Sequence, residues 1–264
     1  MVRRQRSRQI RICKADALLL PLIRELKAEH PFWGYRRVWA RLRFAERIAI
    51  NQKRVYRLMR EYQLLVPKDV RLRAKRENQP AKPRPSCPNR WWGVDITKVV
   101  TAEGWAYIVI VNDWFTKKIL GAYVGRRSRA GDWLEAINRA VCRQFPEGVR
   151  EAAGLELHLM SDNGSQPTSL AFMRETAALG IRQAFTSYCN PKGNADTERL
   201  IRTIKEELVW LREWSSVEEL AQAVEAFVEG FNENYLHSTL GYRTPAEFER
   251  EWLAKEQQTL SAAA

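Results

Sequence analysis

Three rhythms of apolar and polar positions run along this chain, and each marks a region. From Asp16 to about Tyr62, apolar residues recur at helical spacing in three short bursts. Leu22, Ile23 and Leu26 form the first, with Pro21 placed to suit a helix's first turn and His30-Pro31 placed to end it. A second helix is predicted over Tyr35 to Leu42, after Gly34, with Val38, Trp39 and Leu42 turned inward. The third is the best defined. Asn51 is its N-cap, Val55, Leu58, Met59 and Tyr62 follow at helical spacing, and Lys53, Arg54, Arg57 and Arg60 take the outward side. Three short helices with a basic last one read as a helix-turn-helix module whose last helix can enter a major groove.

Past Trp91 the rhythm shortens to alternation. Trp92, Val94 and Ile96 alternate with Gly93, Asp95 and Thr97 in a first strand, Tyr107 to Val111 gives a second and Ile119 to Val124 a third. A helix follows from Ala130 to Phe145, with Trp133, Ile137, Val141 and Phe145 on one stripe. Then come a strand over Leu155 to Met160, a helix from about Ser169 to Leu179, and a short strand near Ile181 to Phe185. The next helix has its buried stripe at Leu200, Ile204, Leu208 and Leu211. Strands first and then alternating helices and strands predict a mixed α/β sheet covered on both faces, preceded by the small all-α module. The last part is helical: Val217, Leu220, Ala221, Val224, Phe227, Val228 and Phe231 make a long amphipathic pattern, and Thr244-Pro245-Ala246-Glu247 is a capping box with Pro at the first helical position.

Two stretches lack such rhythm. Residues 3–14 are arginine-rich and read as a mobile arm. Residues 66–90 hold Pro67, Pro80, Pro83, Pro85 and Pro88 among Lys and Arg and read as a semi-rigid basic linker, either a plain tether or a track along a DNA backbone. The expected division is an arm and helix-turn-helix domain over 1–65, the linker over 66–90, a catalytic core over 91–212 and helices completing that core over 213–264.

Charge sharpens this division. Residues 1–90 hold 25 of the 44 Lys and Arg and 7 of the 31 Asp and Glu, an excess of +18, which leaves −5 for the rest of a chain whose net charge is +13. A polyanion-binding segment joined to a mildly acidic domain fits that asymmetry better than uniform solubilising charge. The longest apolar run, Ala17 to Ile23, is far short of the roughly 20 residues that span a membrane, and the N-terminus shows arginine in place of a secretory core. A cytoplasmic protein is expected. Cysteines at 13, 87, 142 and 189 form no CxxC pair and the histidines at 30, 158 and 237 are scattered, so no zinc site or disulfide framework is indicated.

Three acids carry the candidate chemistry. Asp162, in Ser161-Asp-Asn-Gly-Ser-Gln166, follows an apolar run and sits at a strand's exposed end. Glu198 opens a helix after the breakers Pro191, Gly193 and Asn194, and at about 100° per residue it shares a face with Arg202 and Lys205, opposite the buried stripe. Asp95 interrupts a strand otherwise suited to burial. Two strand-borne aspartates and one helix-borne glutamate are a hard-oxygen set suited to Mg²⁺ or Mn²⁺. Two such ions about 3.5–4 Å apart activate a hydroxyl nucleophile and stabilise the leaving oxygen of a phosphodiester. Asp113, also acidic and strand-terminal, is read as lying outside the ligand set, and His237 as a structural, hydrogen-bonded histidine.

Spacing makes the pattern specific: 35 residues, 163–197, separate Asp162 from Glu198, and a lysine stands at 205. With WGYRRVWARL, NQKRVYRLM, WWGVDITKV, SDNGSQ, PKGNADTERLIRTIKEE and FNENYLHSTLGYRTPAEF, it resembles the DDE transposases and retroviral integrases. More narrowly, it resembles the second-reading-frame product of the bacterial insertion sequence three family. The resemblance implies a ribonuclease-H-like core, a metal-binding triad of Asp95, Asp162 and Glu198, and DNA contact by Lys205 near the ends being joined. It implies cleavage of an element's ends by water and strand transfer by transesterification. Partners follow too: terminal-repeat and target DNA, further copies of the chain on paired ends, and an upstream-frame protein, fused or associated. Arg36, Arg37, Lys53, Arg54, Arg57, Arg60 and Arg202 complete the DNA-contact candidates, while Asn163, Gly164, Gln166, Asn194 and Asp196 are expected near the site without ligand roles. Pro167 and Arg199 depart from the aromatic and the serine usual in the family, which touches loop shape and DNA contact. A non-catalytic DNA-binding regulator and a plain ribonuclease-H-like nuclease are the alternatives.

Overall fold

The computed structural model describes residues 14–66, 83–146, 156–186 and 193–263. The expected arm and most of the proline-rich linker lie outside the described residues. The chain divides into two compact units, Met1–Arg73 and Ala74–Ala264. Among the described residues no helix is long and apolar enough to cross a membrane.

The first unit is three helices around one small core: α1 (Lys14–Glu29), α2 (Tyr35–Ala40) and α3 (Gln52–Glu61). Leu19, Ile23, Val38, Leu42, Val55, Leu58 and Met59 fill it. Pro21 lies inside α1, not in its first turn, because the helix begins at Lys14; the buried stripe is therefore Leu19 and Ile23, and Leu22 is exposed. Beyond Ala40 the second helix widens into a π turn over Arg41–Ala45, which carries it past its predicted end at Leu42. Asn51 caps α3 as its sequence predicts, its side chain accepting from the Lys53 N–H at 2.8 Å.

The second unit is a five-stranded sheet in the order β3-β2-β1-β4-β5. Its strands are β1 (Trp91–Thr101), β2 (Gly104–Asp113), β3 (Ile119–Gly125), β4 (His158–Ser161) and β5 (Arg182–Phe185). The first three form an antiparallel meander; β4 joins β1, and β5 joins β4, in parallel. This is the ribonuclease-H-like arrangement.

Alternation along β1 assigns its side chains to two cores. Trp92 and Val94 point to the layer of α4 (Ala130–Gln144) and α5 (Leu170–Ala178), where they meet Trp133, Ile137, Val141 and Phe172. Val99 points the other way, to α6 (Ala195–Glu207) and α7 (Val217–Asn234), whose Leu200, Ile201, Ile204, Val224 and Phe231 close that face. The stripe of α6 ends sooner than its spacing predicts. A 3₁₀ turn over Val209–Leu211 follows the helix, so Leu211 is exposed while Thr197 and Ile201 take inward positions. The last helix, α8 (Pro245–Ala263), starts at the predicted capping box, with Thr244 Oγ1 accepting from the Glu247 N–H at 3.1 Å and Glu247 accepting from the Thr244 N–H at 3.2 Å.

Candidate active site

Asp95 lies mid-strand on β1, half-buried, on the same face as Val99 and so toward α6. Its Oδ1 accepts from the Ile96 N–H at 2.8 Å. Glu198 is in the first turn of α6 and exposed. What allows that turn to lie so near β1 is Gly93. A Cβ there would stand 1.9 Å from Thr197 Oγ1 and 2.4 Å from Trp114 Nε1, so the strand offers a notch at the point where the helix crosses it.

Asp162 follows Ser161 at the end of β4, exposed, in a turn that its own carboxylate closes by accepting from the Gly164 N–H at 3.1 Å. The rest of the motif fastens this turn. Asn163 Nδ2 donates to the Thr186 carbonyl beyond β5 at 2.7 Å, and Gln166 Nε2 to the Ser128 carbonyl before α4 at 3.0 Å. Pro167, which stands where the resemblance expects an aromatic, is buried, and its carbonyl accepts from Gln183 Nε2 at 3.0 Å. Asn194 and Asp196 play similar parts for α6: Asn194 Nδ2 donates to the Val94 carbonyl at 3.2 Å, and Asp196 pairs with Lys117 at 3.2 Å.

Asp95 feels the charges of the other two acids. Burial pushes the Asp95 carboxyl up to about 6; the Ile96 N–H opposes this, the negative charges of Asp162 and Glu198 add to it, and Lys205 opposes it. Partial burial also lifts the Glu198 carboxyl above its ordinary value. The helix face predicted from periodicity is there: Glu198 and Arg202 are exposed and Lys205 is half-buried, near enough to Asp95 to act on it. Among the described residues no three His, Cys, Asp or Glu side chains converge tightly enough, as they stand, to grip one ion.

Asp113 is elsewhere in role. Its buried carboxylate accepts from the N–H groups of Asn89, Phe115 and Thr116 and from Thr116 Oγ1, at 2.6–3.0 Å, and so shapes the β2–β3 turn. His237 is structural as expected, its Nδ1 2.8 Å from Thr239 Oγ1.

In the helical unit the basic candidates divide. Arg36, Lys53 and Arg60 are exposed, and Arg37 is half-buried. Arg54 and Arg57, expected on the outward side of α3, lean instead toward α1, where Asp16 is buried: Arg54 Nε reaches Oδ1 at 2.7 Å and an Arg57 terminal nitrogen reaches Oδ2 at 2.8 Å. A carboxylate out of water requires such partners. Tyr56 emerges between Lys53 and Arg60, with Tyr35 edge-on at 4.9 Å. Asp16, Tyr56, Trp114 and Lys117 carried no signal in one-dimensional spacing, because their partners are 38, 21, 83 and 79 positions away.

A helix-turn-helix unit together with a ribonuclease-H-like sheet whose Asp95 feels the charges of Asp162, Glu198 and Lys205 points to a class: a polynucleotidyl transferase of the DDE type, acting on DNA. Residues 14–71 match the HTH-like domain, and residues 85–191 and 179–245 match two models of the integrase core domain. A Mycobacterium tuberculosis protein assigned as the transposase of insertion sequence element IS986/IS6110 is 30% identical over 242 residues, covering 88% of this chain and 86% of that one. The transposase for insertion sequence element IS629 of Shigella sonnei is 28% identical over 257 residues, covering 94% and 84%. Among solved structures, the HTLV-2 integrase catalytic core domain in complex with magnesium overlays with a TM-score of 0.47 at 15% identity, covering 63% of this chain and 99% of that one. The chain belongs to the family of insertion-sequence transposases with an integrase core, and it is a DNA transposase.

Proposed function

We propose that Asp95, Asp162 and Glu198 are the catalytic carboxylates of this transposase and hold divalent metal, Mg²⁺ or Mn²⁺, as a pair of ions. The observation that carries this is the convergence of charge on Asp95, whose carboxyl feels Asp162, Glu198 and Lys205 together. The donor set fits such ions in its chemistry: three hard oxygen groups whose negative charges disfavour one another lack the positive charge a cation brings. Asp162 and Glu198 are exposed, so their side chains can turn toward Asp95 on its strand. When bound, the ions would supply activation of the attacking oxygen and stabilisation of the leaving one.

The remaining work falls to the chain itself. Water first attacks a phosphodiester at the element's end, a phosphorus–oxygen bond breaks, and a 3′-hydroxyl is left. That hydroxyl then attacks a second strand in line. A new phosphorus–oxygen bond forms as the target's breaks, the nucleophile's proton is lost to solvent, and the leaving oxygen takes one up. Neither step needs a covalent enzyme intermediate or ATP. Lys205, beside Asp95, is suited to hold a phosphate of the DNA end, with Arg202 next to it on α6. In the helical unit Lys53 and Arg60, with Arg36 and Arg37, are suited to phosphates and groove edges, while Arg54 and Arg57 add to these contacts only as far as their pairing with Asp16 leaves their charge available. Paired element ends call for at least two copies of the chain, and an upstream-frame protein is a natural partner. A chain that acts on element DNA would work in the bacterial cytoplasm, at the nucleoid.

The test is a strand-transfer assay on labelled element ends with Mg²⁺ or Mn²⁺, for the chain alone and fused to its upstream frame, beside Asp95→Asn, Asp162→Asn and Glu198→Gln. Joined products that vanish in all three variants are expected. Cleavage without joining would mean a nuclease, and DNA binding with neither, in every format, would mean a regulator.

A further inference from the structure

The turn between β2 and β3 holds two residues that reach across to α6. Trp114 is buried, and its Nε1 donates to Thr197 Oγ1 at 3.1 Å. Lys117, in the left-handed region at φ 62°, donates from Nζ to the Trp114 carbonyl and to Asp196 Oδ2, the latter at 3.2 Å. From the strand side Asn194 Nδ2 donates to the Val94 carbonyl, and the Asn194 carbonyl accepts from the Glu198 N–H at 3.0 Å. The first turn of α6 is thus seated in the notch left by Gly93 and held from both flanks. The turn that holds it is itself fixed: Asp113 ties its backbone, Lys118 pairs with Glu249 on α8, and the Ile119 N–H donates to Asn232 on α7 at 2.8 Å.

Glu198 is the residue after Thr197, and Asp95 stands two after Gly93. The depth of the seat therefore fixes how far apart the two acids are. We propose that Trp114, Lys117 and Thr197, seated on Gly93, are positioning residues that set α6 so that Glu198 completes the carboxylate group with Asp95 and Asp162. A side chain at 93 would drive the helix away from the strand, since an atom 1.9 Å from Thr197 Oγ1 demands a shift of an ångström or more. Sites of this kind tolerate about 0.5 Å, and a misplacement of about 1 Å costs roughly 100-fold in rate. Removing only the Thr197 hydroxyl leaves the packing and loosens one flank.

This inference rests on the carboxylate reading above, so its test includes Glu198→Gln. In the full-length chain, Gly93→Ala, Thr197→Val, Thr197→Ser and Trp114→Phe are compared in three measurements: strand-transfer rate at saturating DNA, DNA affinity without metal, and the rise in melting temperature on titration with Mn²⁺. Gly93→Ala is expected to lose roughly 100-fold in rate. Thr197→Val and Trp114→Phe are expected to lose roughly 10-fold, at DNA affinity within about twofold of wild type, with the Mn²⁺ midpoint moved to higher concentration. Thr197→Ser, which keeps the acceptor, is expected to behave as wild type. If Glu198→Gln is inactive while Thr197→Val and Trp114→Phe keep wild-type rate and Mn²⁺ midpoint, the positioning role is wrong and the carboxylate reading stands. If Thr197→Ser falls as far as Thr197→Val, the hydroxyl is not the cause and the positioning role is again wrong. An active Glu198→Gln protein overturns both readings.

Discussion

Asp95 and Asp162 stand level across two parallel strands. Trp91 pairs with His158 and Gly93 with Met160, and the same offset carried two residues further sets one aspartate beside the other, just past the end of β4. Neighbouring strands are about 4.8 Å apart, so both carboxylates lie in one neighbourhood whatever their rotamers. Burial and the charges of Asp162 and Glu198 raise the Asp95 carboxyl to about 6, with Lys205 on α6 opposing them.

That arrangement trades stability for function. Asp95→Asn removes a half-buried charge that two other carboxylates repel, while an amide oxygen can still accept from the Ile96 N–H. In metal-free buffer at pH 8 the variant is expected to be more stable than wild type by about 1–3 kcal/mol and unable to join strands. Denaturant unfolding at that pH measures this, and a stability loss would show that Asp95 is held by favourable contacts instead of against its neighbours.

Asp16 should separate folding from DNA affinity. It is 3% exposed and binds two arginines of α3. Both arginines are a third or more exposed, which softens the loss, so Asp16→Asn is expected to cost about 1–3 kcal/mol. Released from Asp16, Arg54 can carry its charge to phosphates, while Arg57 keeps its pair with Glu61 at 3.1 Å, and the fall of log K with log salt should steepen by about one contact. Titration of duplex DNA at several salt concentrations reads the slope; an unchanged slope would mean that these arginines meet DNA equally well while paired.

Local rhythm made the elements legible, and register made the site. The alternation Trp92-Gly-Val-Asp-Ile named β1 and its two faces, and the caps at Asn51 and Thr244 were readable because both capping partners lie within three residues. The acids were legible by type and separation. What holds them was not: Gly93 reads as an ordinary strand glycine until α6 lies over it, and Trp114 and Lys117 sit in a turn that spacing identifies only as a turn. Leu208 and Leu211 continued a helical stripe on paper, yet the chain leaves the helix at Leu208. The pairing of Arg54 and Arg57 with Asp16 was hidden for the same reason: a basic helix face looks the same whether water, DNA or a carboxylate covers it.

Asp113 gives the fold a pH dependence. Burial raises its carboxyl to about 6, against four donors that pull it down, while in the unfolded chain it titrates near 3.8. Between those values the folded state holds a proton that the unfolded state has released, so stability should rise as pH falls from 7 to 5 and decline as pH rises through 6. Asp113→Asn should flatten this dependence. It should also lower stability throughout, because an amide nitrogen turned to the Asn89 N–H cannot accept from it. Because Asp95 titrates in the same range, the comparison belongs in an Asp95→Asn background, by urea unfolding at pH 5, 6 and 7. A slope that Asp113→Asn leaves unaltered would mean that the four donors, and not burial, set the group's titration.

Gly121 fixes the other face of the sheet without touching the acids. A Cβ there would stand 2.1 Å from the Ala136 carbonyl oxygen and 2.9 Å from the Ala140 nitrogen, both backbone atoms of α4 that cannot swing aside. Strand and helix are therefore in near contact at this point, and Trp133, Ile137 and Val141 are buried by that approach. Gly121→Ala must push α4 off β3, which overpacks one spot and opens gaps around those side chains. The expected cost is about 2–4 kcal/mol. The carboxylates lie toward α6, across the sheet from this contact, so the folded fraction should keep its strand-transfer rate per molecule and its Mn²⁺ midpoint. Calorimetry together with active-site-normalised turnover distinguishes this from Gly93→Ala, where rate and midpoint are expected to move. If Gly121→Ala lost turnover per folded molecule as severely, the two faces of the sheet would be coupled, and the rate loss in Gly93→Ala could no longer be assigned to the seat of α6.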